Sequence, residues 1–108
     1  MTDYITDYIQ VSTTTETEHV AQEIASALVE QRLAACVQVS GPVKSVYRWQ
    51  GKVQQSQEWL CTAKTRASLF PQVEAAIRKL HAYECPEVIA VPIADGSAAY
   101  LTWLGEQT

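Results

Sequence analysis

Ala35-Cys36-Val37-Gln38-Val39-Ser40-Gly41-Pro42-Val43-Lys44-Ser45-Val46-Tyr47-Arg48-Trp49-Gln50 has a period of two. Odd positions hold Ala35, Val37, Val39, Val43, Tyr47 and Trp49. Even positions hold Gln38, Ser40, Lys44, Arg48 and Gln50. Successive strand side chains point to opposite faces, so this pattern is a long strand with one apolar side. Gly41-Pro42 reads as a bend or bulge within it. Gln50-Gly51-Lys52 reads as a turn. A partner strand then returns from about Val53 to Lys64, polar at first and then Trp59, Leu60, Cys61 and Ala63.

Outward from this ribbon the remaining elements fall into order. Upstream, Tyr8, Ile9, Val11 and the threonines to Thr14 are β-formers and predict a first strand. Thr15-Glu16-Thr17-Glu18 has the form of a capping box, and Val20, Ile24, Ala27 and Leu28 predict a helix to about Gln31. Downstream, Ser68 reads as an N-cap and Pro71 as a first-turn proline. Val73, Ala76, Ile77 and Leu80 give that second helix its apolar stripe. Val88 to Ile93 reads as a short strand, and Asp95-Gly96-Ser97 as a turn into a last helix with Tyr100, Leu101, Trp103 and Leu104. Met1–Asp7 repeats the Thr-Asp-Tyr-Ile unit once and is expected to be an N-terminal extension to a single domain spanning residues 1–108.

The order β-α-β-β-α-β with a terminal helix is the split βαβ plan, an α+β ferredoxin-like fold. In that plan the first and third strands are central and the second and fourth are edges. Pro42 and Pro92 then both fall on edge strands, where a missing N–H is tolerated.

One copy of this fold leaves apolar surface bare. Two strands of roughly 13 residues reach ~43 Å at ~3.3 Å per residue. A helix of about 16 residues covers only ~24 Å. The overhang carries Tyr47 and Trp49, and an open aromatic ribbon invites pairing. Closed self-association is the expected solution, with Tyr47 and Trp49 as interface anchors. The competing reading is a strand broken at Gly41-Pro42 with a mobile tip.

Charge and composition narrow the function. Lys+Arg 8 against Asp+Glu 12 gives a net charge of −4, which argues against a nucleic-acid partner. No apolar run approaches a membrane span, and Met1–Gln10 lacks a secretory leader, so a cytoplasmic protein is expected. Three cysteines, Cys36, Cys61 and Cys85, exclude a closed disulfide framework and a four-cysteine metal site within one chain. The four glycines form no phosphate loop, and no Ser-His-Asp arrangement is recognisable, so no catalytic residue is assigned and no enzyme is expected.

Donor atoms cluster at His81, Glu84, Cys85 and Glu87, and an imidazole with a thiolate suits Cu²⁺ or Zn²⁺. The plain alternative is a helix end capped by His81 and Glu84. Lys64, with Glu58, Tyr83 and Glu87, can converge at a subunit boundary as a cleft for a small anion or polar metabolite. The alternative there is a structural salt bridge from Lys64 to Glu87 or Glu58 that locks the assembly. Cys36 is either a reactive thiol or soft-metal ligand, or a small residue packed under a helix or at the subunit contact, and His19 reads as a solvated helix-face histidine.

Four motifs, in order, resemble the CutA divalent-cation-tolerance family. They are Glu30-x-x-Leu33-Ala34-Ala35-Cys36; Tyr47-x-Trp49-x-Gly51-Lys52 with Glu58 and Lys64-Thr65; His81-Ala82-Tyr83-Glu84-Cys85-Pro86-Glu87; and Tyr100-Leu101-x-Trp103-Leu104. The resemblance covers about residues 8 to 105. It implies a ferredoxin-like homotrimer associated with tolerance to divalent metals, notably copper, and with binding them. The copper ligands it implies are a first-strand cysteine, which falls at Thr13, and a histidine pair, which falls at Leu80 and His81. Only His81 carries over as a metal ligand. A sensor trimer like the PII proteins shares this plan, but needs a long loop where this chain has a tight turn. A third reading is a rigid scaffold that docks a partner protein.

Overall fold

The computed structural model describes residues 7–108. All but the last residue of the expected N-terminal extension, 1–7, lies outside the described residues. The elements are β1 (Tyr8–Thr15), α1 (Glu18–Glu30), β2 (Cys36–Trp49), β3 (Lys52–Arg66), α2 (Phe70–Leu80), β4 (Ile89–Pro92) and α3 (Ala98–Gln107). The sheet is antiparallel in the order β2-β3-β1-β4, so β1 and β3 are central and both strand prolines sit on edges.

Odd residues of β1 face the helices. Ile9 and Val11 pack with Ala63 of β3, Ile24 and Leu28 of α1, and Val73 and Ile77 of α2 in one core cluster. The three- and four-residue spacings within each helix put these side chains on one stripe. The opposite face of the sheet has neither α1 nor α2 on it. Ile89 and Val91, paired with Ser12 and Gln10, lie there 51% and 51% exposed.

Two helix starts differ from expectation. Thr15 is the buried last residue of β1, paired with Trp59, and the N-cap of α1 is Thr17, whose Oγ1 accepts from Val20 N at 3.2 Å. Thr15 Oγ1 instead donates to Thr17 O at 2.8 Å and holds the bend between strand and helix. Ser68 is not a cap either. Strand pairing runs on to Tyr8–Arg66, so Ser68 falls within a single 3₁₀ turn, Ala67–Leu69, before α2 starts. Pro71 does occupy the first turn of α2.

The Gly41-Pro42 bend is a one-residue bulge. Ser40 pairs with Leu60 but Val43 pairs with Glu58, so β2 carries one extra residue. Directly paired residues share a face, and one extra residue reverses the parity beyond it. Val37 and Val39 therefore face the helices, whereas Val43, Tyr47 and Trp49 face the uncovered side with Glu58, Gln54 and Lys52. The single apolar side read from the sequence is thus split between two faces. Gly41 permits the bulge: its φ is +154°, and a Cβ there would stand 2.8 Å from the Trp59 ring.

Beyond the bulge β2 and β3 form an arm that closes through Gln50-Gly51, both at positive φ (53° and 79°), as a two-residue hairpin requires. The molecule measures 45 × 32 × 22 Å. Val46, Tyr47, Trp49 and Val53 on the arm are 59%, 43%, 45% and 64% exposed. At the other end, Arg66 Nη2 donates to Gly105 O (2.6 Å) and Arg32 Nη2 to Glu106 O (2.8 Å), satisfying carbonyls at the C-terminus of α3.

Candidate functional site

The root of the arm and the segment after α2 enclose a groove of about 660 Å³. β3 supplies Glu58, the arm supplies Tyr47 and Trp49, and the chain from 82 to 87 supplies Tyr83, Glu84, Cys85 and Glu87. The bulge brings this about: without the parity reversal Tyr47 and Trp49 would lie on the other side of the arm. The lining holds three carboxylates and no lysine, arginine or histidine.

Glu58 is 6% exposed, and its Oε2 accepts a 2.7 Å hydrogen bond from the Tyr83 hydroxyl. Burial raises the Tyr83 pKa well above the ordinary phenol range, and the hydrogen bond and negative charge of Glu58 raise it further. Glu84, Cys85 and Glu87 stand exposed at the mouth. Of the residues expected to converge, Glu58, Tyr83 and Glu87 do so, and Lys64 does not. Lys64 lies six residues along β3 on the same face, opposite Cys36, and its Nζ donates to Gln38 Oε1 at 2.9 Å. Neither Glu58 nor Glu87 pairs with it within the chain. Gln38 was legible as a neighbour, since it shares the face of Cys36 two residues on, but not as the partner of Lys64.

His81 lies at the C-cap of α2 with both ring nitrogens engaged. Nδ1 accepts from Tyr83 N (3.1 Å), which leaves the proton on Nε2, and Nε2 lies 2.7 Å from Thr14 O. The imidazole fastens the segment after α2 to the end of β1. A metal at His81 must displace one of these bonds. Thr13, at the position the resemblance gives to a ligand cysteine, is 1% exposed on the helix-facing side, and its hydroxyl has no hydrogen-bond partner. Leu80 has no donor atom. The copper ligand set implied for the family does not fit this chain as folded. Among the described residues no three His, Cys, Asp or Glu side chains come together as a metal site. Cys61 is buried against Ala21 O and Cys36 partly buried. His19 is exposed beside Glu23 at 3.6 Å.

Fold and site together define an α+β protein with a split βαβ sheet, a projecting β-arm and a carboxylate-lined groove at its root. The family described as CutA1 divalent ion tolerance protein matches residues 9–107, and this chain belongs to that family. The divalent-cation tolerance protein CutA of Thermus thermophilus is 48% identical over 95 residues, covering 88% of this chain and 92% of the relative. Mouse protein CutA is 45% identical over 91 residues, covering 84% of this chain, which spans only 51% of the mouse protein. The Thermus thermophilus structure superposes with a TM-score of 0.91 at 46% identity, covering 94% and 98% of the two chains. CutA1 of Shewanella sp. SIB1 gives 0.93 at 37% identity, covering 97% and 98%. Relatives include a chloroplastic protein of Arabidopsis thaliana and a protein of Archaeoglobus fulgidus titled periplasmic. Among the described residues no helix is long and apolar enough to cross a membrane.

Proposed function

We propose that this chain is one subunit of a cytoplasmic homotrimer that serves tolerance to divalent cations, copper among them, without catalysing a reaction. The observation that carries this reading is the bare arm. Val46, Val53, Tyr47 and Trp49 are 43–64% exposed on its two faces, a surface that a second copy buries. Membership of a divalent-ion-tolerance family supports the cation part. Because the described residues of one chain assemble no three-ligand set, the cation is held by donors from more than one subunit. Glu84, Cys85 and Glu87 at the groove mouth offer oxygen and sulfur for it. The two-residue turn at Gln50-Gly51 favours this reading over a PII-like sensor, which needs a long loop there.

The test is sedimentation equilibrium followed by calorimetric titration with CuCl₂. The expected mass is three times 12.0 kDa. Cu²⁺ heat is expected to be retained in His81→Ala and lost in a Cys85→Ser/Glu87→Gln variant. A one-chain mass at micromolar concentration overturns the assembly. Unchanged heat in the double variant overturns the assignment of the donors.

A further inference from the structure

The uncovered face of the sheet carries two incomplete charge sites. Glu58 is a carboxylate at 6% exposure whose one side-chain partner is a neutral phenol. Lys64 is a half-buried residue whose ammonium, in a hydrogen bond open to solvent, has a neutral amide, Gln38, as its partner. The only ion-pair contact among the described residues is His19–Glu23, on the exposed side of α1. A buried charge without a counter-charge is costly. These two cannot neutralise each other within one chain: six residues along a strand separate their backbones by ~20 Å.

We infer that the Glu58 groove is completed by Lys64 of a second copy, so that each subunit offers its carboxylate to one neighbour and its lysine to the other. This rests on the homotrimer reading and names the residue that the neighbour contributes. Three observations converge on it. Groove and lysine lie on the same uncovered face, next to apolar residues that need covering, Trp49 at one end and Val91 at the other. The groove is lined by carboxylates alone among charged groups, so it selects a cation. Donor and acceptor are different residues ~20 Å apart, so each copy can give its carboxylate to one neighbour and its lysine to another, which is the head-to-tail pattern that a closed three-membered ring needs. Tyr83 then has a second role. Its hydroxyl occupies one oxygen of Glu58 and leaves the other for the incoming ammonium. Two other cations lie on that face: Arg66 is held by the carbonyl of Gly105 and the hydroxyl of Thr108, and Lys52 stands exposed at the tip of the arm opposite Trp49.

The experiment compares wild type with Glu58→Gln, Lys64→Met, their double variant, Lys64→Glu, and the charge swap Glu58→Lys/Lys64→Glu. Subunit dissociation is followed by sedimentation across protein concentration. Each single variant is expected to raise the dissociation constant at least tenfold. The double variant is expected to be no weaker than the weaker single, because both remove the same pair. The swap is expected to recover most of what Lys64→Glu alone loses, and this arm stands even where Glu58→Gln fails to fold. An oligomeric wild type with additive single effects and no recovery in the swap overturns the pairing while leaving the homotrimer intact. A wild type that sediments as one chain overturns both.

Discussion

The hydroxyl of Tyr83 and the carboxylate of Glu58 meet at 2.7 Å and join the segment after α2 to the root of the arm. Tyr83→Phe leaves the ring and removes the bond to a buried charge. The expected cost is ~1.5–3 kcal/mol, read as a lower urea midpoint at unchanged m-value. The pH dependence has a defined sign. The folded-state pKa of Tyr83 is raised above its ordinary value of 10.0 by burial and then by Glu58. Its contribution is therefore fully present below about pH 10 and is lost as the pH climbs towards the folded value. Tyr83→Phe is expected to flatten that part of the alkaline decline in thermal midpoint.

Cys61 behaves alike at lower pH. Burial pushes its thiol from 9.0 up to about 11. Stability is full below pH 9 and falls between 9 and 11, since the unfolded chain releases this proton first. Cys61→Ala is expected to remove that slope. With an aromatic disulfide reagent at pH 8, exposed Cys85 reacts first and Cys61 only on unfolding, which timed absorbance at two urea concentrations checks.

Thr13→Val is expected to stabilise the protein. The hydroxyl is buried and unpartnered, and valine replaces it with a methyl of the same shape. A gain of ~1 kcal/mol is expected, measured as a higher urea midpoint.

Gly41→Ala tests the bulge. The added methyl meets the Trp59 ring at 2.8 Å at a backbone angle that L-residues rarely adopt. A loss of ~1–3 kcal/mol is expected, with a change in tryptophan fluorescence as the Trp59 ring shifts.

Trp49→Ala separates folding from assembly. The ring is 45% exposed in the single chain, so secondary structure by circular dichroism is expected to persist. With the arm as the interface, subunit association is expected to weaken by ~2 kcal/mol or more. An unchanged sedimentation profile removes Trp49 from the contact.

Element order, edge prolines and the hairpin turn were legible because each rests on local chemistry. Period two, the φ preference of Gly51 and the missing N–H of Pro42 and Pro92 act within a few residues. The facing of Tyr47 and Trp49 was not legible. Alternation tells which residues share a face only while the register is unbroken, and whether Gly41-Pro42 adds a residue depends on the pairing partner, Glu58. The α1 cap was misplaced for a related reason, since Thr15 and Thr17 carry the same side chain and only strand pairing to Trp59 decides between them. Within the groove, Glu58, Tyr83 and Glu87 could be grouped from sequence. The engagement of both His81 nitrogens could not, because Thr14 contributes through its backbone carbonyl, which every residue has.

The extra residue at Gly41-Pro42 also fixes how this ribbon can change length. Deleting it would turn the outer half of β2 over and carry both aromatic rings to the opposite surface. Additions between Val43 and Gln50 keep the rings in place only when they come in twos and are matched on the facing strand. The arm can therefore lengthen or shorten only in steps of a residue pair per strand, and any odd step exchanges its inside for its outside.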